Sequence, residues 1–453
     1  MLFQTPTFLI FLLLFLLGLP LFRDQARIVY CCLASYVFYG WWFPPYLLLL
    51  VGLTGYAYFF TVKPVTSILA TLAVVCLGFL PLLVFKYTGF LIDNISLISG
   101  LQIDFNPTWA LPIGISFITF TAIAYVLDVR SGKITAEPKF WNTALFISFF
   151  PQLVAGPILR GSELLDQIRH IKLDRSAVKF ALFLFAIGAL KKVGIADQIG
   201  PVVDSIYDSS NQISRPEAIL AFYGFAVQIY GDFSGYTDMA LALAALLSVN
   251  LPKNFDRPYL AGSIREFWRR WHMTLSRWLR DYLYVPLGGS KKGFNRTILA
   301  ILITMVLGGL WHGAAWTFVV WGAMHGVLVA IEHLAEKYSL KIFRLPYWLK
   351  VILIFHFVGI SWIFFRAPSF DRALDVFAGF FIAGDYAIIF QAPLVPAVIL
   401  GAILCHPVDN FDIIKGACER VSASILMPFS VMLILIGAAL AMNNPGAFIY
   451  FDF

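Results

Sequence analysis

Long apolar runs separated by short polar breaks fill the chain. They fall at about 6–22, 27–43, 45–62, 65–92, 110–128, 140–158, 177–199, 217–249, 297–311, 313–335, 348–366, 373–407 and 424–442, and a helix needs roughly 17–25 residues to cross hydrocarbon. Some runs are too short to cross alone, and 373–407 is long enough for two helices. The pattern predicts about 11 to 14 membrane-embedded helices. A β-barrel would instead show alternating segments of ~10 residues, and none stands out. The expected fold class is an all-α polytopic membrane protein. Loops are short, and no linker or fixed-period repeat is visible. A single membrane-embedded domain over residues 1–453 is expected.

Composition agrees. Of 453 residues, 60% are hydrophobic and only 13% charged, whereas soluble domains carry about a quarter charged residues. The net charge of +7 fits basic cytoplasmic loops and does not call for a nucleic-acid partner. Most of the cysteines (Cys31, Cys32, Cys76, Cys405 and Cys418) lie in apolar runs without disulfide or zinc spacing, so they read as small core residues. The apolar N-terminus lacks a basic leader and a cleavage site, and reads as a retained first span.

Charge sets an orientation. Lys253 to Arg296 holds ten basic residues against three acidic ones, which predicts a cytoplasmic segment. The loop Pro201 to Glu217 holds Asp204, Asp208 and Glu217 against Arg215 alone and is expected on the opposite side; Arg160 to Arg175 is basic again.

Three polar features interrupt the apolar pattern. The first is a basic stretch, "SIREFWRRWHMTLSRWLRDYLYVPLGG", read as one helix ending near Pro286. At helical spacing Arg265, Arg269, His272, Ser276 and Arg280 share a sector of about 80°. Such a stripe suits an anionic, phosphorylated ligand. It equally suits an interfacial helix whose arginines meet headgroups while Trp268, Trp271 and Trp278 sit in the aromatic belt. The second is "GGLWHGAAWTFVVWGAMHG", where a continuous helix would set His312 and His325 about 220° apart, so they would not share a face. Glycines around His312 suggest a helix break or close packing, which favours His312 for chemistry. His325 and His333 could stack on one face, but no third ligand is evident and no metal site is expected. The third is "YGDFSGYTDMALALAALL", carrying Asp232 and Asp238 inside an apolar span. Intramembrane carboxylates serve pairing, relay or ion binding, or merely fix packing through a polar neighbour.

No Walker A loop, GxGxxG or Gly-x-Ser-x-Gly elbow is present. The inventory suits a histidine general base acting on an incoming hydroxyl.

Taken together, "FFPQLVAGPILR", "YGDFSGYTDMA", "FWRRWHMTLSRWLRDYLYVPLGG" and "GGLWHGAAWTFVVWGAMHG" resemble the membrane-bound O-acyltransferase (MBOAT) family, over about residues 110–450. The terminal "FIYFDF" resembles the ending of its bacterial branch that acetylates polysaccharides, alginate among them. The resemblance implies a ring of tilted helices around a thin central channel. It makes His312 the family's catalytic histidine and His272 its second polar position. Substrate-binding positions are then expected at Arg265, Arg269, Ser276, Arg280, Trp311, Asp232 and Asp238. It further implies acetyl-CoA (an acyl-CoA) as a cytoplasmic donor, no permanently bound cofactor, and an extracytoplasmic acetyltransferase partner protein. The polysaccharide acceptor would be reached indirectly, from a multi-pass position among the lipids of a bacterial cytoplasmic (inner) membrane. A transporter or flippase is the rival reading, since Lys86, Asp232 and Asp238 with glycine-broken helices are transporter-like.

Overall fold

A computed structural model describes residues 1–101, 103, 105, 109–339, 345–386, 393–443, 446 and 448–451. Among them every regular element is helical, as hydrocarbon demands. Six helices are long and apolar enough to cross a bilayer, or seven if the bent pair Leu394–Val408 and Phe411–Arg420 counts as one span. The protein is an all-α polytopic membrane protein. Asp452 and Phe453 of the terminal motif lie outside the described residues.

The chain gathers into two compact units. The first comprises 1–187, 236–252 and 423–443. Its core is aromatic: Phe3, Phe8, Phe38 and Phe150 are all buried, with Phe38 and Phe150 centroids 5.7 Å apart. The "FFPQLVAGPIL" stretch is buried within this unit, where the Gln152 side chain donates to the Phe146 carbonyl at 2.9 Å. At the unit's polar edge Arg169 pairs with Glu137. Burial alone would raise the Glu137 carboxyl, but the guanidinium outweighs it and holds the group below its usual range. Of the cysteines expected inside, Cys31 and Cys32 here and Cys418 in the second unit are buried, whereas Cys76 and Cys405 are exposed. An exposed face of an apolar membrane helix still meets lipid, so exposure costs a thiol little there.

The second unit comprises 188–235, 253–422 and 444–453. Its frame is an antiparallel hairpin of Phe294–His312 and Trp316–Lys337. Glycines let the two backbones close up: a Cβ on Gly309 would lie 2.2 Å from the Phe318 carbonyl oxygen, and one on Gly322 2.3 Å from that of Met305. The chain reverses over Gly313–Ala315, in extended backbone, so His312 and His325 do not ride one helix. The expectation that they point apart is corrected. Both rings pack on Trp321, with centroids at 5.0 and 4.8 Å.

Two further expectations change. The basic stretch is not one helix: it forms Ile264–Arg270, then Met273–Leu279, then a π-turn Arg280–Tyr284. His272 stands at the break with φ +41°, a conformation a non-glycine side chain adopts only when held there. Asn254 holds it. Its Oδ1 accepts from the Thr274 amide (3.2 Å) and hydroxyl (2.9 Å), and its carbonyl accepts from the Met273 amide at 3.0 Å. The acidic segment read as a loop begins as helix, Asp197–Asp208, with Pro201 inside. It follows a π-turn, Leu190–Ala196, that carries Lys191 and Lys192.

Candidate active site

Both cavities described here lie in the second unit. The first, about 430 Å³, is basic: Arg265, Arg269, Arg280 and His333 line it together with Ser276 and Trp268. Four residues of the predicted stripe therefore do converge. His272 does not, because the break turns it inward to full burial. The arginines are not equivalent. Arg265 is engaged by Glu332 at 3.3 Å and Glu336 at 2.8 Å. Arg280 meets Asp281 at 2.7 Å, a hydrogen bond that raises the guanidinium above its ordinary value. Arg269 is exposed and makes no ion pair among the described residues.

The second cavity, about 570 Å³, is acidic: Asp197, Asp204, Asp208 and Asp232 line it with Lys192 and Arg366. Here each cation is shared by two carboxylates, two positive charges against four negative ones. The Lys192 ammonium lies 2.7 Å from Asp197 and 2.9 Å from Asp232; Arg366 lies 2.7 Å from Asp204 and 3.2 Å from Asp208. The other Asp232 oxygen accepts from the Ile449 amide at 2.6 Å. Asp238, predicted beside it in sequence, belongs to the first unit and lines neither cavity.

Between the cavities stands a short stack of rings. Trp268 of the basic cavity packs on Trp321 (5.8 Å), and Trp321 on Phe365 (5.2 Å), which lines the acidic one. His312 touches both, at 5.0 Å from Trp321 and 5.2 Å from Phe365, and is 2% exposed. Tyr450 packs on it from the C-terminal segment at 5.5 Å. Trp311 sits 6.1 Å from His272 and 4.9 Å from His312, joining the two histidines. From Met305, the basic-cavity residue of the Phe294–His312 helix nearest His312 in sequence, to His312 is seven helical positions, or ~10 Å. The hairpin tip, Ala315 and Thr317, already lines the acidic cavity. A group at His312 is thus within one thin partition of both.

Sequence reasoning missed Lys192, Arg366, Trp321 and Tyr450. The adjacent Lys191 and Lys192 in an apolar run were a usable signal, because a lysine in hydrocarbon needs a partner. Among the described residues no group of three His, Cys, Asp or Glu is placed to hold a metal ion.

The arrangement is a buried histidine in a thin wall between two cavities of a polytopic helical protein. Residues 29–369 match the model of the "MBOAT, membrane-bound O-acyltransferase family", and the chain belongs to that family and is an acyltransferase. It is 37% identical over 402 residues to the probable alginate O-acetylase of Azotobacter vinelandii, covering 86% of this chain and 79% of the relative. It is 35% identical over 427 residues to the peptidoglycan O-acetyltransferase of Helicobacter pylori, covering 84% and 79%. A more distant relative is the teichoic acid D-alanyltransferase of Bacillus subtilis, 28% identical over 284 residues, covering 57% and 70%.

Proposed function

We propose that the protein transfers an acetyl group from cytoplasmic acetyl-CoA to a hydroxyl presented on the other side of a bacterial cytoplasmic membrane. An extracytoplasmic partner protein then passes the group to a polysaccharide. The names of the relatives support O-acetylation of a polysaccharide or peptidoglycan. The observation that carries the reading is the position of His312 in the wall between a basic and an acidic cavity. The basic cavity takes the donor: its arginines suit phosphates, and basic segments stay cytoplasmic. His312 is the general base. It removes the proton of the acceptor hydroxyl as oxygen attacks the thioester carbonyl, and returns it to the departing thiolate. The products are the acetyl ester and free CoA, with no resident cofactor consumed. His272 acts at one remove, holding Trp311 against His312 from a backbone that Asn254 fixes. Asp232 serves here as an ion-pair anchor.

Inside-out membrane vesicles supplied with radiolabelled acetyl-CoA test this. Label should appear as ester in the lumen, and His312→Ala should lower its rate by at least ~10²-fold without loss of folded protein. Equal labelling by a folded His312→Ala protein overturns the assignment.

A further inference from the structure

Three polar atoms behind the basic cavity have no hydrogen-bond partner among the described residues. They are the indole Nε1 of Trp268, the indole Nε1 of Trp321 and the imidazole Nδ1 of His325. The rings touch one another: Trp268 and Trp321 are 5.8 Å apart, Trp268 and His325 5.3 Å, Trp321 and His325 4.8 Å. Trp321 is 1% exposed and His325 fully buried, while Trp268 lines the cavity. Buried polar groups are normally hydrogen-bonded, and these three unmatched ones sit together beside a cavity.

The tautomer of His325 can be read from its neighbour. The Ser361 hydroxyl donates to the Val358 carbonyl at 2.7 Å, so its one proton is committed. At 2.9 Å its oxygen must then accept from His325 Nε2–H. Nδ1 therefore carries the lone pair. The cluster offers two N–H donors and one nitrogen acceptor, all on rigid rings. A secondary amide presents the matching set: a carbonyl oxygen to accept and an N–H to donate.

We infer that Trp268, Trp321 and His325 form a binding site for a secondary amide, the one lying two methylenes from the sulfur in the pantetheine arm of the thioester donor. This rests on the donor assignment made above. Trp321 also touches His312 at 5.0 Å. An amide gripped here holds the thioester beside the histidine, and the basic cavity accommodates the rest of the arm.

The experiment compares two small donors: S-acetyl-N-acetylcysteamine, which has this amide, and S-pentyl thioacetate of the same length, which lacks it. The wild-type protein should favour the amide donor by about 10–100-fold in kcat/KM. His325→Phe, which removes the acceptor but keeps a ring, should lower that ratio at least about 5-fold. Trp268→Phe, which removes one donor and leaves His325 in place, should lower it similarly and stands as the test if His325→Phe does not fold. A wild-type ratio near one, or a ratio unchanged in a folded variant, overturns the amide site while acetyl-CoA still labels. If acetyl-CoA labels nothing in wild-type vesicles, the donor assignment fails and the amide site falls with it.

Discussion

The two cavities differ in how their charge is held. In the acidic one, Lys192 and Arg366 each bridge two aspartates. In the basic one, Arg265 and Arg280 are paired with local carboxylates, while Arg269 makes no ion pair among the described residues. The acidic wall is a closed ionic structure whose charges hold helices and the C-terminal segment together. The basic wall keeps a guanidinium available to something that arrives. Charge near a cavity is thus not by itself evidence of ligand binding; its pairing decides.

The comparison first needs its sidedness, where the expected effect is all-or-none. Cysteine at Ser290, on the basic cavity, should react with an impermeant maleimide only from the cytoplasm. Cysteine at the exposed Ser210, just beyond Asp208, should react only from outside. The reverse pattern would invert the donor assignment. The next effect is on stability. Lys192→Met leaves Asp197 and Asp232 buried without their cation, and removing one partner of a buried pair costs ~3–5 kcal/mol. Thermal unfolding in detergent should show a large drop, partly recovered by adding Asp232→Asn. If Lys192→Met is as stable as the parent, the acidic wall is not the anchor described.

Smaller effects separate the arginines. Arg269→Ala should raise the acetyl-CoA KM by about 10-fold with kcat little changed, because a phosphate remote from the thioester is bound alike in ground and transition states. Arg280→Ala should raise it less, its charge being already matched by Asp281. An equal KM for Arg269→Ala and wild type would return the stripe to a headgroup anchor. The smallest effect is that of salt: the wild-type KM should rise between 0.05 and 0.5 M salt, roughly as the Debye screening of an exposed guanidinium predicts, and Arg269→Ala should flatten that rise.

Much of this was legible in the sequence. Apolar periodicity identified the helical membrane class, and the glycines about His312 marked the hairpin turn. The arginines Arg265, Arg269 and Arg280 meet in one cavity even though the helix expected to align them is broken. What was not legible depends on distant contacts. The break at His272 exists because Asn254, eighteen residues earlier, supplies the acceptors that restart the helix; no local pattern encodes that. Asp232 was legible as an intramembrane carboxylate, but its partner, Lys192, lies forty positions away. Tyr450 reaches His312 only through the fold.

The stack of Trp268, Trp321 and Phe365 also carries a burden unrelated to acyl transfer. On the proposed reading, in which the two cavities open to opposite sides of the membrane, these rings must also hold back ions. Such a wall should insulate as well as react, by excluding a continuous file of water. A cavity-forming change such as Phe365→Ala should therefore reveal itself in a conductance measurement on liposomes, as leakage, before any substrate is added.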